Sequence, residues 1–347
     1  MAEPVRAALI GLTAPHSKGW LQTLLAAPAI SELVVCDGQV ESLDLPEGIA
    51  AAYASLQALQ VAEDVQFGLI SLPNDEIAAV ARPLLQAGLP LIIEKPAGRT
   101  TADLTALNEA AEQGGTIWAT GFLNRCLPVA RECKRLVEAG ALGEIVSIEG
   151  RMVTSSVQQR NPEHWLFDGQ RAGGGILHWL AIHTIDLIRY LSGLEYASVS
   201  GSVSTLSGTG ISVEDVAALS VTMSNGALGS IHAGYMLKQR YGDIHLALRG
   251  TLGEAVWPMY DWQGRGDSLY LRSQAPGWHT AAEHVIRAPQ AEGPGYGGPV
   301  GLHFIEDFIG AAQQGTPFVT DGNDALRAMQ LVEGAYAASA QGRRIDL

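Results

Sequence analysis

The sequence predicts an α/β protein of two domains: a doubly wound parallel sheet over residues 1–121, then a second α/β domain with a mostly antiparallel sheet over residues 122–347. Three observations lead there. In the first third, short apolar runs alternate with helical segments, the pattern of parallel strands joined by helical crossovers. From Tyr196 to about Ile286, alternating segments are separated by glycine and Asn-Gly turns, the pattern of hairpins. A chain of 347 residues also exceeds one ordinary compact core.

Taken in order, Val5–Ile10 is short and apolar and reads as the first strand, and Trp20–Ala27 has helical composition. Glu32–Cys36 is a second strand closed by Asp37-Gly38, and Tyr53–Leu59 suits a helix. Gln66–Leu72 is a buried strand, Asp75–Ala87 a helix ending near Gly88, and Leu89–Ile93 the next strand. Thr101–Gln113 is an amphipathic helix stopped by Gly114-Gly115, and Thr116–Thr120 is one more strand. After Gly121 come a helix at Pro128–Ala139, a strand at Glu144–Val153 and a polar loop reaching about Arg171. A Gly173-Gly174-Gly175 turn then opens a helix over Ile176–Leu191. Val216–Met223 and Ala227–Ala233 flank Asn225-Gly226 as a hairpin. Glycine and proline crowd Gly293–Gly301, and helices at Leu302–Gln314 and Asn323–Gln341 close the chain, free to pack back on the first domain.

Composition narrows the function. A hydrophobic content of 47% with 17% charged residues marks a folded chain. The formal charge of −14, with no run of lysine or arginine to offset it, argues against nucleic acid or an anionic membrane as partner. No apolar run approaches the roughly 20 residues of a membrane span, and the N-terminal residues pass into strand-like Ala7–Ile10 without a basic or long apolar leader. Cys36, Cys126 and Cys133 are odd in number and lack metal-ligand spacing, so a reducing cytoplasm is expected. The nine histidines form no H-x-x-x-H or comparable cluster, and no metal is expected.

The most pointed chemistry lies at Glu94-Lys95-Pro96, where an apolar strand ends in an acid, a base and a proline. Open α/β sheets bind ligands beyond the carboxyl ends of their strands, so Lys95, backed by Glu94, is placed like a catalytic group. The first βα turn reads Gly11-Leu12-Thr13-Ala14-Pro15-His16. Only the first glycine of a G-x-G-x-x-G fingerprint remains; Thr13 and His16 occupy the other two positions. The hydroxyls of Thr13 and Ser17 and the helix N-terminus are the substitutes available to a phosphate. Asp37 follows the second strand, where a carboxylate accepts from both ribose hydroxyls and repels a 2′-phosphate, which favours NAD over NADP. A turn aspartate before Gly38 is the competing reading.

Leu72-Pro73-Asn74, Ile93-Glu94-Lys95-Pro96, Gly121-Phe122-Leu123-Asn124-Arg125, Gly173-Gly174-Gly175 and His183-Thr184-Ile185-Asp186 follow one another in an order that resembles the Gfo/Idh/MocA oxidoreductases. Val213-Glu214-Asp215, Asn225-Gly226-Ala227, Gly250-Thr251-Leu252-Gly253 and Gly342-Arg343-Arg344 are similar too, so the resemblance covers essentially the whole chain. It implies an N-terminal Rossmann domain holding NAD(P), and a C-terminal α/β domain whose open sheet joins subunits as a homodimer or homotetramer. The implied chemistry is hydride exchange with a carbinol or carbonyl of a sugar, polyol or related small molecule, with Lys95 and His183 as the catalytic pair. Pro73, Asn74, Glu94 and Lys95 would join Gly11, Thr13, His16 and Asp37 around the cofactor. Asn124, Arg125, Trp165, Trp179 and His183 would face the substrate.

That assignment is chemically coherent. Oxidising an alcohol removes a hydride from carbon and a proton from oxygen; an ammonium stabilises the developing alkoxide, and a group titrating near neutrality takes the proton. The chain departs from the family where an aspartate usually stands four residues before the histidine, for that position is Trp179. The tryptophan either shapes the substrate pocket or marks an altered activity. The family's frequent arginine after the loop tryptophan is Leu166, and His164 and Asp168 are weaker candidates nearby. Two further readings stay open: a non-catalytic NAD-binding regulatory paralogue, and an NAD-assisted lyase or glycosidase.

Overall fold

The computed structural model describes residues 3–62, 64–155, 157, 160–208, 210–237, 242–260, 266–289 and 291–347. Its contacts divide the chain into two compact units, Met1–Leu123 with Ala291–Leu326, and Asn124–Gln290 with Arg327–Leu347.

The first unit alternates β1 (Val5–Ile10), α1 (Ser17–Ala26), β2 (Ile30–Cys36), β3 (Ile49–Tyr53), α2 (Leu56–Ala62), β4 (Phe67–Ile70), α3 (Asn74–Gln86), β5 (Leu91–Ile93), α4 (Thr101–Gly114) and β6 (Trp118–Thr120). The strands form one six-stranded sheet in the order β3-β2-β1-β4-β5-β6, parallel at every pairing. Leu9, Leu69, Ile70, Ile92 and Ile93 are fully buried, as the unbroken apolar runs of a parallel sheet covered on both faces require. Strand order reverses between β1 and β4, and in open α/β sheets ligands bind beyond the carboxyl ends of the strands at such a point. Glu94 and Lys95 follow β5 directly on that same edge.

One strand departs from expectation. The segment before Tyr53 is alanine-rich, and a helix was expected from Tyr53 onward; instead Ile49–Tyr53 is β3, and α2 begins only at Leu56. Alanine favours helix intrinsically, but pairing with β2 at the sheet edge outweighs that preference. In the same unit α8 (Pro299–Gln314) presses Phe308 against Phe67, ring centres 5.7 Å apart.

The second unit is built on a nine-stranded sheet comprising β7 (Ile145–Thr154), β8 (Tyr196–Ser204), β9 (Val216–Met223), β10 (Leu228–Gly234), β11 (Gly242–Gly250), β12 (Gly253–Tyr260), β13 (Ser268–Ser273), β14 (His284–Arg287) and β15 (Ile345–Asp346). The order is β14-β13-β12-β11-β7-β10-β9-β8-β15, with the β7–β10 pair parallel and the other pairings antiparallel. The β9–β10 hairpin turns at Asn225-Gly226, where Gly226 has φ 88°. Its helices are α5 (Pro128–Glu138), the short α6 (Gly169–Ala172) and α7 (Ile182–Ser192); α9 (Gly322–Gln341) is divided between the units at Leu326. A Cβ at Gly150 on β7 would meet Thr184 and Ile188 of α7 at 2.7 and 3.0 Å, so this glycine lets α7 lie close on the sheet.

Two differences bear on the site. The helix expected over Ile176–Leu191 is not uniform: Leu177–Ala181 is a π-helical turn, and α7 proper starts at Ile182. The loop expected to be polar buries Leu166 and Phe167 in a 3-10 turn and contains α6, while its residues 156, 158 and 159 lie outside the described residues.

Candidate functional site

In the first unit, the residues at the ends of β1, β2, β4 and β5 converge. Gly11 ends β1 with φ 93°, and a Cβ there would overlap the carbonyl oxygen of Ser71, so only glycine fits this turn. Asp37 leaves β2 buried; one carboxylate oxygen accepts from the Leu12 amide at 2.7 Å and the other from the Gln39 amide at 2.8 Å. Each oxygen accepts two hydrogen bonds, so both keep capacity for a hydroxyl. Ser17 at the start of α1 is fastened to Ser71 at the end of β4, Oγ to Oγ 2.9 Å. Asn74 is buried in the first position of α3, behind Pro73. Thr13 is exposed.

Glu94 is the hub. His16 Nδ1 lies 3.0 Å from Oε1, Trp20 Nε1 donates to Oε2 at 2.6 Å, and Lys95 Nζ stands 3.9 Å from Oε1. The Lys95 side chain is only 1% exposed. Burial pushes the Glu94 carboxyl up; the charges of His16 and Lys95 and the hydrogen bonds from His16 and Trp20 outweigh it and hold the pKa at about 2. Glu94 is therefore a carboxylate at neutral pH, and it anchors Lys95. The His16 ring stacks on Tyr296, centres 4.4 Å apart, and Trp20 leans on the same ring at 5.0 Å. The Tyr296 amide donates to the Gly19 carbonyl and Thr23 Oγ1 on α1.

Trp20 and Tyr296 escaped the sequence reading. Trp20 lies four positions after His16, one helical turn on the same face, which was a usable signal. Tyr296 carried only the hint of an aromatic in a glycine-rich loop. The first unit also has a cavity of about 620 Å³ lined by Glu3, Val5, Gln66, Phe67, Pro90 and Ile309. It lies at the amino ends of β1 and β4, the edge away from Glu94 and Lys95.

The residues present suit a dinucleotide. Gly11 closes the first turn without a side chain, Asp37 offers a carboxylate at the end of β2, and the α1 N-terminus has no side-chain cap. His16, at the third glycine position, is turned onto Glu94 and Tyr296.

In the second unit, Glu214 fixes the start of the helix that carries His183. Its carboxylate accepts from the amides of Gly175 at 2.6 Å and Leu177 at 3.0 Å and from the Tyr336 hydroxyl at 2.8 Å. A negative charge on unsatisfied helix N–H groups is the favourable arrangement. The glycine triplet follows from it: a Cβ on Gly175 would strike the Glu214 carbonyl oxygen, and one on Gly174 would strike Tyr336 and His178. His178 is buried, with Nδ1 3.0 Å from the Tyr336 hydroxyl, so it is engaged away from the Trp179 position. Asp215, the next residue, accepts from the Leu206 amide at 2.7 Å and ties down the loop there.

His183 is buried in α7. Trp179 is buried in the π-helical turn before it, tilted against Tyr235 at 6.2 Å, with the Arg160 guanidinium 4.4 Å over its ring. The two arginines of interest differ sharply. Arg125 is forked onto Asp186, Nε to Oδ2 2.9 Å and Nη2 to Oδ1 2.5 Å, and also lies 4.9 Å over Tyr190. Asn124 is half-buried on the same short turn, Leu123–Cys126. Trp165 is half-buried with its ring 5.5 Å from His164. His164 accepts from the Leu166 amide, and burial, followed by the Arg160 and Arg171 charges, pushes its pKa down. Asp168 caps α6 through the Gln170 amide. Among the described residues no helix is long and apolar enough to cross a membrane.

Residues 8–122 match the model of an oxidoreductase family with an NAD-binding Rossmann fold, and residues 130–256 match the GFO/IDH/MocA C-terminal domain. Levoglucosan dehydrogenase of Pseudarthrobacter phenanthrenivorans is 29% identical over 217 residues, which span 56% of this chain and 55%, about half, of that relative. Inositol 2-dehydrogenase of Rhizobium meliloti is 24% identical over 319 residues, 87% of this chain and 88% of that protein. A levoglucosan dehydrogenase structure in complex with NADH and levoglucosan superposes with a TM-score of 0.85 at 23% identity, covering 99% of both chains, and so shares the fold. The order of motifs, the two sheets and both domain matches agree: the chain belongs to the GFO/IDH/MocA family of oxidoreductases.

Proposed function

We propose that the protein is an NAD-dependent oxidoreductase that exchanges a hydride with a carbinol or carbonyl carbon of a sugar, polyol or related hydroxy compound. The observation that carries this reading is the buried Lys95, held by the Glu94 carboxylate at the carboxyl edge of the parallel sheet. The names of its relatives support it, since they are levoglucosan and inositol dehydrogenases. Gly11, Thr13, His16, Asp37, Pro73 and Asn74 hold the dinucleotide, and the Asp37 carboxylate favours NAD by repelling a 2′-phosphate.

A nicotinamide held there would supply the acceptor for the hydride of the carbinol carbon. Lys95 donates to the carbinol oxygen, and its charge stabilises the alkoxide as the hydride leaves. Glu94 keeps that ammonium in place. His183 takes the hydroxyl proton and returns it in the reverse direction. Asn124, Arg125, Trp165 and Trp179 border the substrate, Arg125 through its Asp186-fixed position. The protein works in the cytoplasm as a homodimer or homotetramer joined through the nine-stranded sheet. Light scattering on the purified chain reads that assembly.

The test is Lys95→Ala. NADH formation is expected to fall by at least about a hundredfold, the scale of losing a positioned acid–base group, while NADH affinity stays within a few-fold. Turnover close to wild type overturns the assignment. Tight NADH binding without turnover of any sugar or polyol in the unaltered protein would favour the regulatory reading.

A further inference from the structure

Arg160 is a half-buried cation whose described surroundings are aromatic rather than acidic. Its guanidinium lies 4.4 Å from the centre of the Trp179 ring; Trp179 tilts against Tyr235, and Tyr235 meets Phe167 edge-on at 6.4 Å. Among the described residues no carboxylate stands within ion-pair distance of it, whereas Arg125 pairs with Asp186, Arg151 with Asp243, Arg189 with Glu195, and Arg249 and Arg272 with Glu254. Of the described groups whose charges interact with Arg160, Tyr235 and His164 bring no negative charge at neutral pH, while the Glu214 charge acts on the Tyr235 hydroxyl. Burial raises the Tyr235 hydroxyl well above its ordinary value, and burial, with the Arg160 and Arg171 charges, lowers His164. Burial likewise disfavours the Arg160 cation, and Tyr235 offsets this only in part.

A guanidinium so placed has given up hydration and gained ring faces, a contact on the order of 0.5–2 kcal/mol. Among the described residues it meets no forked acceptor of the kind its geometry suits best. Trp179 belongs to the π-helical turn that runs directly into the α7 residues carrying His183, so the guanidinium lies against the helix of the proposed proton acceptor. In a chain of net charge −14, an anionic substrate needs a local cation of this kind to be admitted.

We propose that Arg160, stacked on Trp179, is a specificity determinant that binds a carboxylate, so that the substrates are sugar acids rather than neutral sugars or polyols. The inference rests on the dehydrogenase reading only for the chemistry at His183; the binding claim stands on Arg160 and Trp179. One guanidinium matches one carboxylate in charge, while a phosphate monoester brings close to two negative charges against it. The carboxylate takes no part in the redox step. His183 would still take the hydroxyl proton, with a bound nicotinamide supplying the hydride acceptor.

The experiment is calorimetry on the full chain with saturating NADH. The probes are matched pairs, D-glucuronate with D-glucose, D-galacturonate with D-galactose and D-gluconate with D-glucitol, with D-glucose 6-phosphate as the phosphate arm. At least one acid is expected to bind about tenfold or more tightly than its neutral partner, the scale of a charge-assisted hydrogen bond. Arg160→Gln should erase that advantage and leave the neutral affinity within about twofold; Arg160→Lys should keep part of it. The inference is overturned if neutral partners bind as well in the unaltered protein, if the phosphate is preferred, or if Arg160→Gln weakens acid and neutral alike. The ratio in the unaltered protein decides the matter even if a variant does not fold. NADH production with NAD and the same sugars is read separately: an acid held through Arg160 but never oxidised sinks the dehydrogenase reading and leaves the carboxylate site standing.

Discussion

The Arg125–Asp186 pair offers a prediction whose size can be worked from the structure. Its side chains are 5% and 1% exposed, and two hydrogen bonds join them in parallel. Removing one partner of a buried pair leaves an uncompensated charge and costs about 3–5 kcal/mol. Arg125→Met and Asp186→Asn should each fall within that range, and the guanidinium left by Asp186→Asn still lies 4.9 Å over the Tyr190 ring. The double variant should lose less than the sum by about 2 kcal/mol or more, because neither charge is left stranded.

Hydrogen exchange of the α7 amides, followed by mass spectrometry under conditions where opening is at equilibrium, measures this locally. It does not require the two units to unfold together. A loss of about 3 kcal/mol appears as roughly a hundredfold faster exchange across Ile182–Ser192. Single variants whose effects add to within about 0.5 kcal/mol would show that the pair is not coupled. An Arg125→Met protein exchanging at the native rate would refute the argument outright.

Other outcomes follow from the same geometry. The Glu94 pKa is depressed from 4.5 to about 2, so its stabilising contribution is complete above pH 4.5 and is lost as pH falls from there toward 2. On the order of 3 kcal/mol is at stake. Urea midpoints at neutral and acid pH should converge for Glu94→Gln relative to the unaltered protein, and equally steep acid losses in both would exclude the ion cluster as their source. Burial pushes the Cys36 thiol up to about 11 and the Cys133 thiol up to about 12, and Cys126 is buried as well. A thiol reagent should label none of them until the protein is unfolded; rapid labelling of the native chain would contradict their burial. Gly175→Ala should cost on the order of 1–3 kcal/mol, since the new methyl meets the Glu214 carbonyl, and a thermal midpoint equal to that of the unaltered protein would remove that account of the glycine triplet.

Much of this was readable before any coordinates, and the reason is local. Buried parallel strands are continuous apolar runs, so β1, β2, β4 and β5 announce themselves, and the glycine triplet and Asn225-Gly226 mark turns that few other residues can make. Lys95 was readable because a strand end is a fixed place in this architecture. What was hidden depends on partners far away in the chain. The Ile49–Tyr53 edge strand is made by its pairing with β2, not by its alanines. Glu94 acquires Trp20 across 74 positions and Arg125 acquires Asp186 across 61, and no spacing rule reaches so far. The π-helical turn leaves no compositional mark at all, since a slightly wider turn asks for no special residue.

That turn also bears on the missing aspartate. The position four before His183 is a tryptophan, and the neighbouring acids are already committed. Glu214 closes the helix N-terminus, and Asp186 holds Arg125. With its carboxylates bound in this way, the helix presents Trp179 and, across its ring, the Arg160 guanidinium. Replacing a carboxylate by an aromatic with a cation behind it reverses the sign of the local field. A neutral polyol gains little from that reversal. A substrate bearing its own carboxylate gains a counter-charge.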